Sequence, residues 1–114
     1  MPTHRLLTEF GLGTSLRRRD YTGAADRAIR DALWHNSINL AELFGAHKEA
    51  MKITVRIGVQ DPDAVDTGAL AGIFPYGQVS FEVTHGGLDV PKPGGMAVIA
   101  NVAISVALDL EPVT

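Results

Sequence analysis

The sequence predicts an α+β fold, a two-layer sandwich in which two helices cover one face of a four-stranded mixed sheet. Three observations carry this expectation. Met51, Ile53, Val55, Ile57 and Val59 alternate with Lys52, Thr54, Arg56, Gly58 and Gln60, the period-two pattern of a strand buried on one side. Met96, Val98, Ala100, Val102, Ile104, Val106, Leu108 and Leu110 hold every second position of a longer segment, a sorting that no helix produces. Between Thr22 and Asn36, the residues Ala24, Ala25, Ala28, Ile29, Ala32 and Leu33 fall on one stripe of an α-helix.

The other elements follow in chain order. His4 to Phe10 predicts a first strand, which the stretch Gly11-Leu12-Gly13-Thr14-Ser15 breaks into a loop. Arg17-Arg18-Arg19 then leads to Asp20; Asp20 or Thr22 caps the first helix and Asn36 ends it. A short helical turn is expected over Leu40 to Phe44, stopping at Gly45. Asp63 to Phe74 predicts a second helix through Val65, Leu70 and Ile73, weakened by Gly68 and Gly72, each costing about 1 kcal/mol against alanine. Pro75-Tyr76-Gly77 reads as a turn, and Val79, Phe81 and Val83 alternate with Ser80, Glu82 and Thr84 as a third strand. Gly86-Gly87 and the stretch Asp89 to Gly95 read as loop before a long, bent last strand. The expected order is β-α-β-α-β-β, in one domain over residues 1–114. The face away from the helices would carry Ala97, Ile99, Ala103 and Ala107 beside Lys52, Arg56, Ser80 and Glu82. Small apolar residues on an uncovered sheet face point to contact with another subunit.

Composition narrows the function classes. With 46% hydrophobic and 20% charged residues in 114, the chain is globular in character. It has no cysteine, which excludes a disulfide framework, a thiolate metal site and a cysteine nucleophile. A net charge of −3 argues against non-specific nucleic-acid binding. No signal-peptide core follows Met1-Pro2-Thr3-His4-Arg5, and the longest apolar-rich run, Met96 to Leu108, is interrupted by Asn101 and Ser105. That run is also shorter than the ~18 residues of a membrane helix. A cytoplasmic location is therefore expected, with no membrane or nucleic-acid partner and no cofactor.

The stretch Gly11 to Asp20 concentrates the candidate ligand-binding residues: Gly11, Gly13, Thr14, Ser15, Arg17, Arg19 and Asp20. Glycines let backbone amides approach a ligand, and the helix that follows aims its positive end at the same place. Arginines add donors that pair with carboxylate or phosphate. The same stretch also reads as a solvated connection whose arginines pair with Asp20, Asp26 or a neighbouring subunit. His4, His35, His47 and His85 show no paired ligand spacing, so no metal is expected. His35 reads as a helix C-terminal residue. Ser15, Ser37, Ser80 and Ser105 have no adjacent base that would mark a nucleophile. Asn101 and Ser105 line a cleft or face water or a partner, the partner reading being favoured, and Tyr76 reads as a turn residue packed on the sheet edge or as a loop phenol that contacts a ligand. Asp61, Asp63 and Asp66 resemble a calcium loop, but Pro62 and the lack of a following glutamate favour helix capping.

Several stretches resemble a family of conserved hypothetical proteins. They are Gly11-Leu12-Gly13-Thr14, Asp20-Tyr21-Thr22-Gly23-Ala24-Ala25, Arg27-Ala28-Ile29-Arg30-Asp31-Ala32 with His35-Asn36-Ser37, Phe74 to Val79, and Gly86-Gly87. The family's hallmark is GxGxDxHG after the first strand. Here Ser15 stands at its aspartate, Arg17 at its histidine and Arg18 at its final glycine. If that pair binds metal or moves protons in relatives, this chain has lost those groups. The resemblance implies a fold and an oligomeric habit rather than an activity. The element order also resembles chorismate-mutase-like and YjgF-like sandwiches, trimers with ligand clefts between subunits, an analogy of fold alone.

These readings converge on a ring-forming homo-oligomer that binds a small polar or anionic ligand at its subunit interfaces. Two alternatives stand beside it. One is a small hydrolase or lyase acting on an amide, imine or carboxylate, with Glu9, Asp20 and His35 as the nearby acid or base groups. The other is a structural subunit partnering a paralogue.

Overall fold

A computed structural model describes residues 3–16, 19–35, 51–74 and 77–109 of the chain. Their order is β1 (Thr3–Ser15), α1 (Tyr21–His35), β2 (Lys52–Val59), a single-turn helix α2 (Thr67–Leu70), β3 (Gln78–His85), β4 (Leu88–Lys92) and β5 (Gly95–Asp109). The expected turn at Leu40 to Phe44 and the turn residue Tyr76 lie outside the described residues.

The architecture is α+β with a mixed sheet, as expected, but the sheet has five strands instead of four. Its order is β1-β5-β2-β3, and β4 also pairs with β5. Central β5 runs antiparallel to β1, β2 and β4, while β2 and β3 are parallel. The added strand corrects the reading of Asp89 to Gly95 as loop. Pro91 removes one backbone donor, which an edge strand tolerates because its outer side is unpaired. Lys92 pairs with Gly95 across a Pro93-Gly94 turn.

Three strands follow their period-two patterns. On one face Ile53, Val55, Ile57 and Val59 of β2 and Val98, Ala100, Val102, Ile104 and Val106 of β5 are buried. Val79, Phe81 and Val83 of β3 pack against the same core. Helix α1 buries Ala24, Ala25, Ala28, Ile29 and Ala32 over this face, the stripe that the sequence predicts apart from Leu33, which is exposed. The cap is Asp20: its Oδ1 accepts the Gly23 amide at 2.8 Å and its carbonyl accepts from Ala24. Asp20→Ala is expected to lower stability by about 1 kcal/mol, measured as a lower urea midpoint with an unchanged slope.

The second expected helix is only partly formed. Asp63 to Phe74 contains the single turn α2, preceded by a 3-10 turn over Pro62–Ala64 and followed by another over Ala71–Ile73. Two glycines in twelve residues leave too little propensity for a longer helix. Asp66 caps α2 through the Ala69 amide at 3.2 Å, and its own amide donates to Thr22 Oγ1 at 2.8 Å, tying this segment to α1. Buried Leu70 anchors it to the core.

Candidate functional site

The stretch Gly11 to Ser15 is strand, not loop: it continues β1 and pairs residue by residue with Val102 to Val98 of β5. Gly11 and Gly13 face α1, and their missing side chains have a packing cause. A β-carbon at Gly11 would overlap backbone atoms of Ala28 and Ala32, and one at Gly13 those of Ala24 and Ala28. Alanines on the helix and glycines on the strand bring the two backbones into direct contact. The space that these glycines were expected to leave for a ligand is filled by α1.

The other residues of the expected site separate. Thr14 lies on the opposite sheet face, and its carbonyl accepts from the Arg27 guanidinium. Ser15 is buried on the helix side, opposite Val98. Arg17 and Arg18 lie outside the described residues. Arg19 is exposed with φ +49°, and Asp20 uses its carboxylate as the cap. Arg19 and Asp20 immediately precede Tyr21, the first residue of α1, and Arg19 and Asp89 both act electrostatically on the Tyr21 phenol.

Asp89 of β4 also pairs with Val98, so Ser15, Val98 and Asp89 form one row beneath the N-terminus of α1. Buried Tyr21 donates its hydroxyl proton to Asp89 Oδ2. That hydrogen bond to a carboxylate, reinforced by burial, pushes the phenol up to about 12. Asp89 Oδ1 is buried and has no hydrogen-bond partner among the described residues. At the Tyr21 phenol the carboxylates of Asp89 and Asp61 act against the Arg19 guanidinium, and Asp20 holds the first turn of the helix.

The uncovered sheet face has a different character. Strand register sets its rows. Thr8, Ser105, Thr54 and Ser80 form the first, with Thr8 and Ser105 hydrogen-bonded through their hydroxyls at 3.2 Å. Phe10, Ala103, Arg56 and Glu82 form the second, and Leu12, Asn101, Gly58 and Thr84 the third. Beyond these, Ile99 neighbours Leu88 and Ala97 neighbours Val90. Phe10 is 71% exposed and Leu88 59%, with Leu12 and Val90 also exposed. The face thus divides into an apolar end and a polar end.

A depression of about 240 Å³ sits between the two ends, lined by Phe10, Arg56, Gly58, Thr84, His85, Gly86, Asn101 and Ala103 among others. Its floor depends on how β3 reaches β4. After His85 the chain crosses the end of β2, with Gly86 donating to the Val59 carbonyl at 2.8 Å and Gln60 donating to the carbonyls of Gly86 and Gly87. Gly87 has φ +61° and lies against the Ile99 carbonyl, so no side chain fits there. The Cα of Gly58 lies 3.1 Å from where a Gly86 β-carbon would be, and a β-carbon at Gly58 would strike Asn101 Oδ1. These two glycines seat the Asn101 amide.

Sequence reading noticed Arg56, Asn101 and Gly86 singly but not their convergence, which needs the strand order. The exposure of Phe10 and Leu12 was missed for the same reason. The only available signal was a strand whose large residues alternate with glycines. Along the outer edge of β1, Asp31 accepts the Leu12 amide at 2.9 Å, so α1 side chains block strand addition there. Among the described residues, no group of three or more His, Asp or Glu could hold a metal ion, and no helix is long and apolar enough to cross a membrane.

The family model described as "Conserved hypothetical protein (Lin0512_fam)" matches residues 5–106. A crystal structure from Nostoc punctiforme PCC 73102, described as a FtsZ-like protein of unknown function, is similar at 29% identity with a TM-score of 0.84. The match covers 96% of this chain and 99% of that one. No curated protein matches.

Proposed function

This chain belongs to the Lin0512 family of conserved hypothetical proteins, and we propose that it is a self-associating subunit that binds a small polar or anionic molecule at the boundary between copies. The observation that carries this is the apolar end of the uncovered face, where Phe10, Leu12, Leu88 and Val90 are exposed beside Ala97 and Ile99. Contiguous apolar patches beyond about 300–600 Å² are rare on monomers, and a stable interface takes about 800 Å² from each partner. These four large side chains are exposed in the single chain, and Arg56, Glu82 and Thr84 lie at the polar border. Arg56 and Glu82, paired at 2.9 Å and about half exposed, add little to stability as a surface pair.

We assign the ligand to the depression rather than to the helix end. Asp20 already occupies the Gly23 amide at the start of α1, and the carboxylates of Asp61 and Asp89 that act on Tyr21 oppose an anion. The depression offers Arg56, the Asn101 amide and His85 in one concavity. A second copy seated on Leu12, Leu88 and Val90 would wall it on one side, excluding water and strengthening each polar contact. A trimer is the expected state. Light scattering at micromolar concentration should give about three times the 12.2 kDa chain mass; a monomer would overturn the proposal.

A further inference from the structure

Resting on that reading, we propose that the depression is a slot for a small planar organic carboxylate, a single ring carrying one acid group. Phe10 and Arg56 share one row of the sheet, two strands apart, with Ala103 between them. Strand spacing puts their Cα atoms about 10 Å apart, and only a methyl group rises from the floor between two long side chains. A flat ring fits over Ala103 against the exposed Phe10 face. The volume of about 240 Å³ lies below the ~300 Å³ at which larger ligand pockets begin, which suits an occupant of one ring.

The acid group has one charged partner. Arg56 Nε donates to Glu82 at 2.9 Å, and the edge formed by the two terminal nitrogens has the geometry for a bidentate contact. Asn101 also lines the depression, with its Oδ1 turned toward Gly58 and Gly86. Glu82 balances the arginine charge. Recognition therefore rests on fork geometry and stacking rather than on net charge, and binding should depend only weakly on salt.

Calorimetry with benzoate, acetate and benzamide tests the slot, with light scattering on the same samples. Benzoate should bind, with acetate and benzamide each at least about tenfold weaker. Ala103→Leu fills the floor and Arg56→Gln removes the fork; each should weaken benzoate at least about tenfold while the oligomer and its cooperative unfolding persist. Gly58→Ala, which displaces the Asn101 amide without touching a charge, should weaken it as well. The slot is overturned if wild type ignores benzoate at about 10 mM, if acetate binds as tightly, or if Ala103→Leu and Arg56→Gln bind like wild type. An oligomer that ignores benzoate overturns the slot alone, whereas a monomer that binds it overturns self-association alone.

Discussion

Gly13→Ala is expected to destabilise the protein by more than about 3 kcal/mol, a large effect for one methyl group. Its β-carbon would overlap the Ala24 carbonyl and the Ala28 amide. These are backbone atoms of a helix with five fully buried small or branched residues, Ala24, Ala25, Ala28, Ile29 and Ala32. No rotamer change relieves such an overlap, so α1 must retreat from β1 and open the core along its length. Gly72→Ala is the control. Nothing lies within 4 Å of its β-carbon position, and reduced freedom of the unfolded chain should make it neutral or stabilising by up to about 1 kcal/mol. Urea unfolding of the two variants should move the midpoint far down for the first and slightly up for the second.

Tyr21→Phe is expected to cost about 2–3 kcal/mol, since it removes a hydrogen bond to a carboxylate and leaves that carboxylate buried. Asp89 already has one unpartnered oxygen among the described residues, so nothing there takes over the lost donor. The pair also has a pH signature. The phenol ionises near 10.0 in the unfolded chain and at about 12 in the native one. A raised native value favours the protonated form, so this stabilisation is complete below pH 10 and is lost as pH rises toward 12. Wild type should therefore lose stability between those values more steeply than Tyr21→Phe. Equal alkaline slopes, or an unchanged urea midpoint at pH 8, would mean that the pair does not hold β4 to α1.

How much of this was legible in the sequence follows from the kind of signal each element carries. Helix α1 and strands β2, β3 and β5 rest on hydrophobic periodicity, which survives without knowledge of neighbours. The second half of β1 was hidden because glycine marks both turns and close backbone approach. Gly11 and Gly13 serve the second role, which becomes visible only when the alanine face of α1 lies across them. Strand β4 was hidden because Pro91, Pro93 and Gly94 are turn formers, although a short edge strand accommodates the first and the hairpin turn uses the others. The pattern from Asp63 to Phe74 suggests a longer helix than its glycines allow. For the site, Asp20 was readable as a cap, while the row of Phe10, Ala103 and Arg56 arises from strands whose order no local pattern encodes.

The central claim is that the uncovered face of the sheet is where copies of this chain meet. Sedimentation equilibrium on wild type and on the double variant Leu12→Asp with Leu88→Asp tests it most directly. Both leucines are exposed in the single chain, so each replacement should change the chain's own stability by no more than about 0.5 kcal/mol. The expected result is a wild-type mass that is a multiple of 12.2 kDa and a double variant that sediments as a folded monomer. A wild type that stays monomeric across the micromolar range, or a double variant with the wild-type mass, would contradict the account.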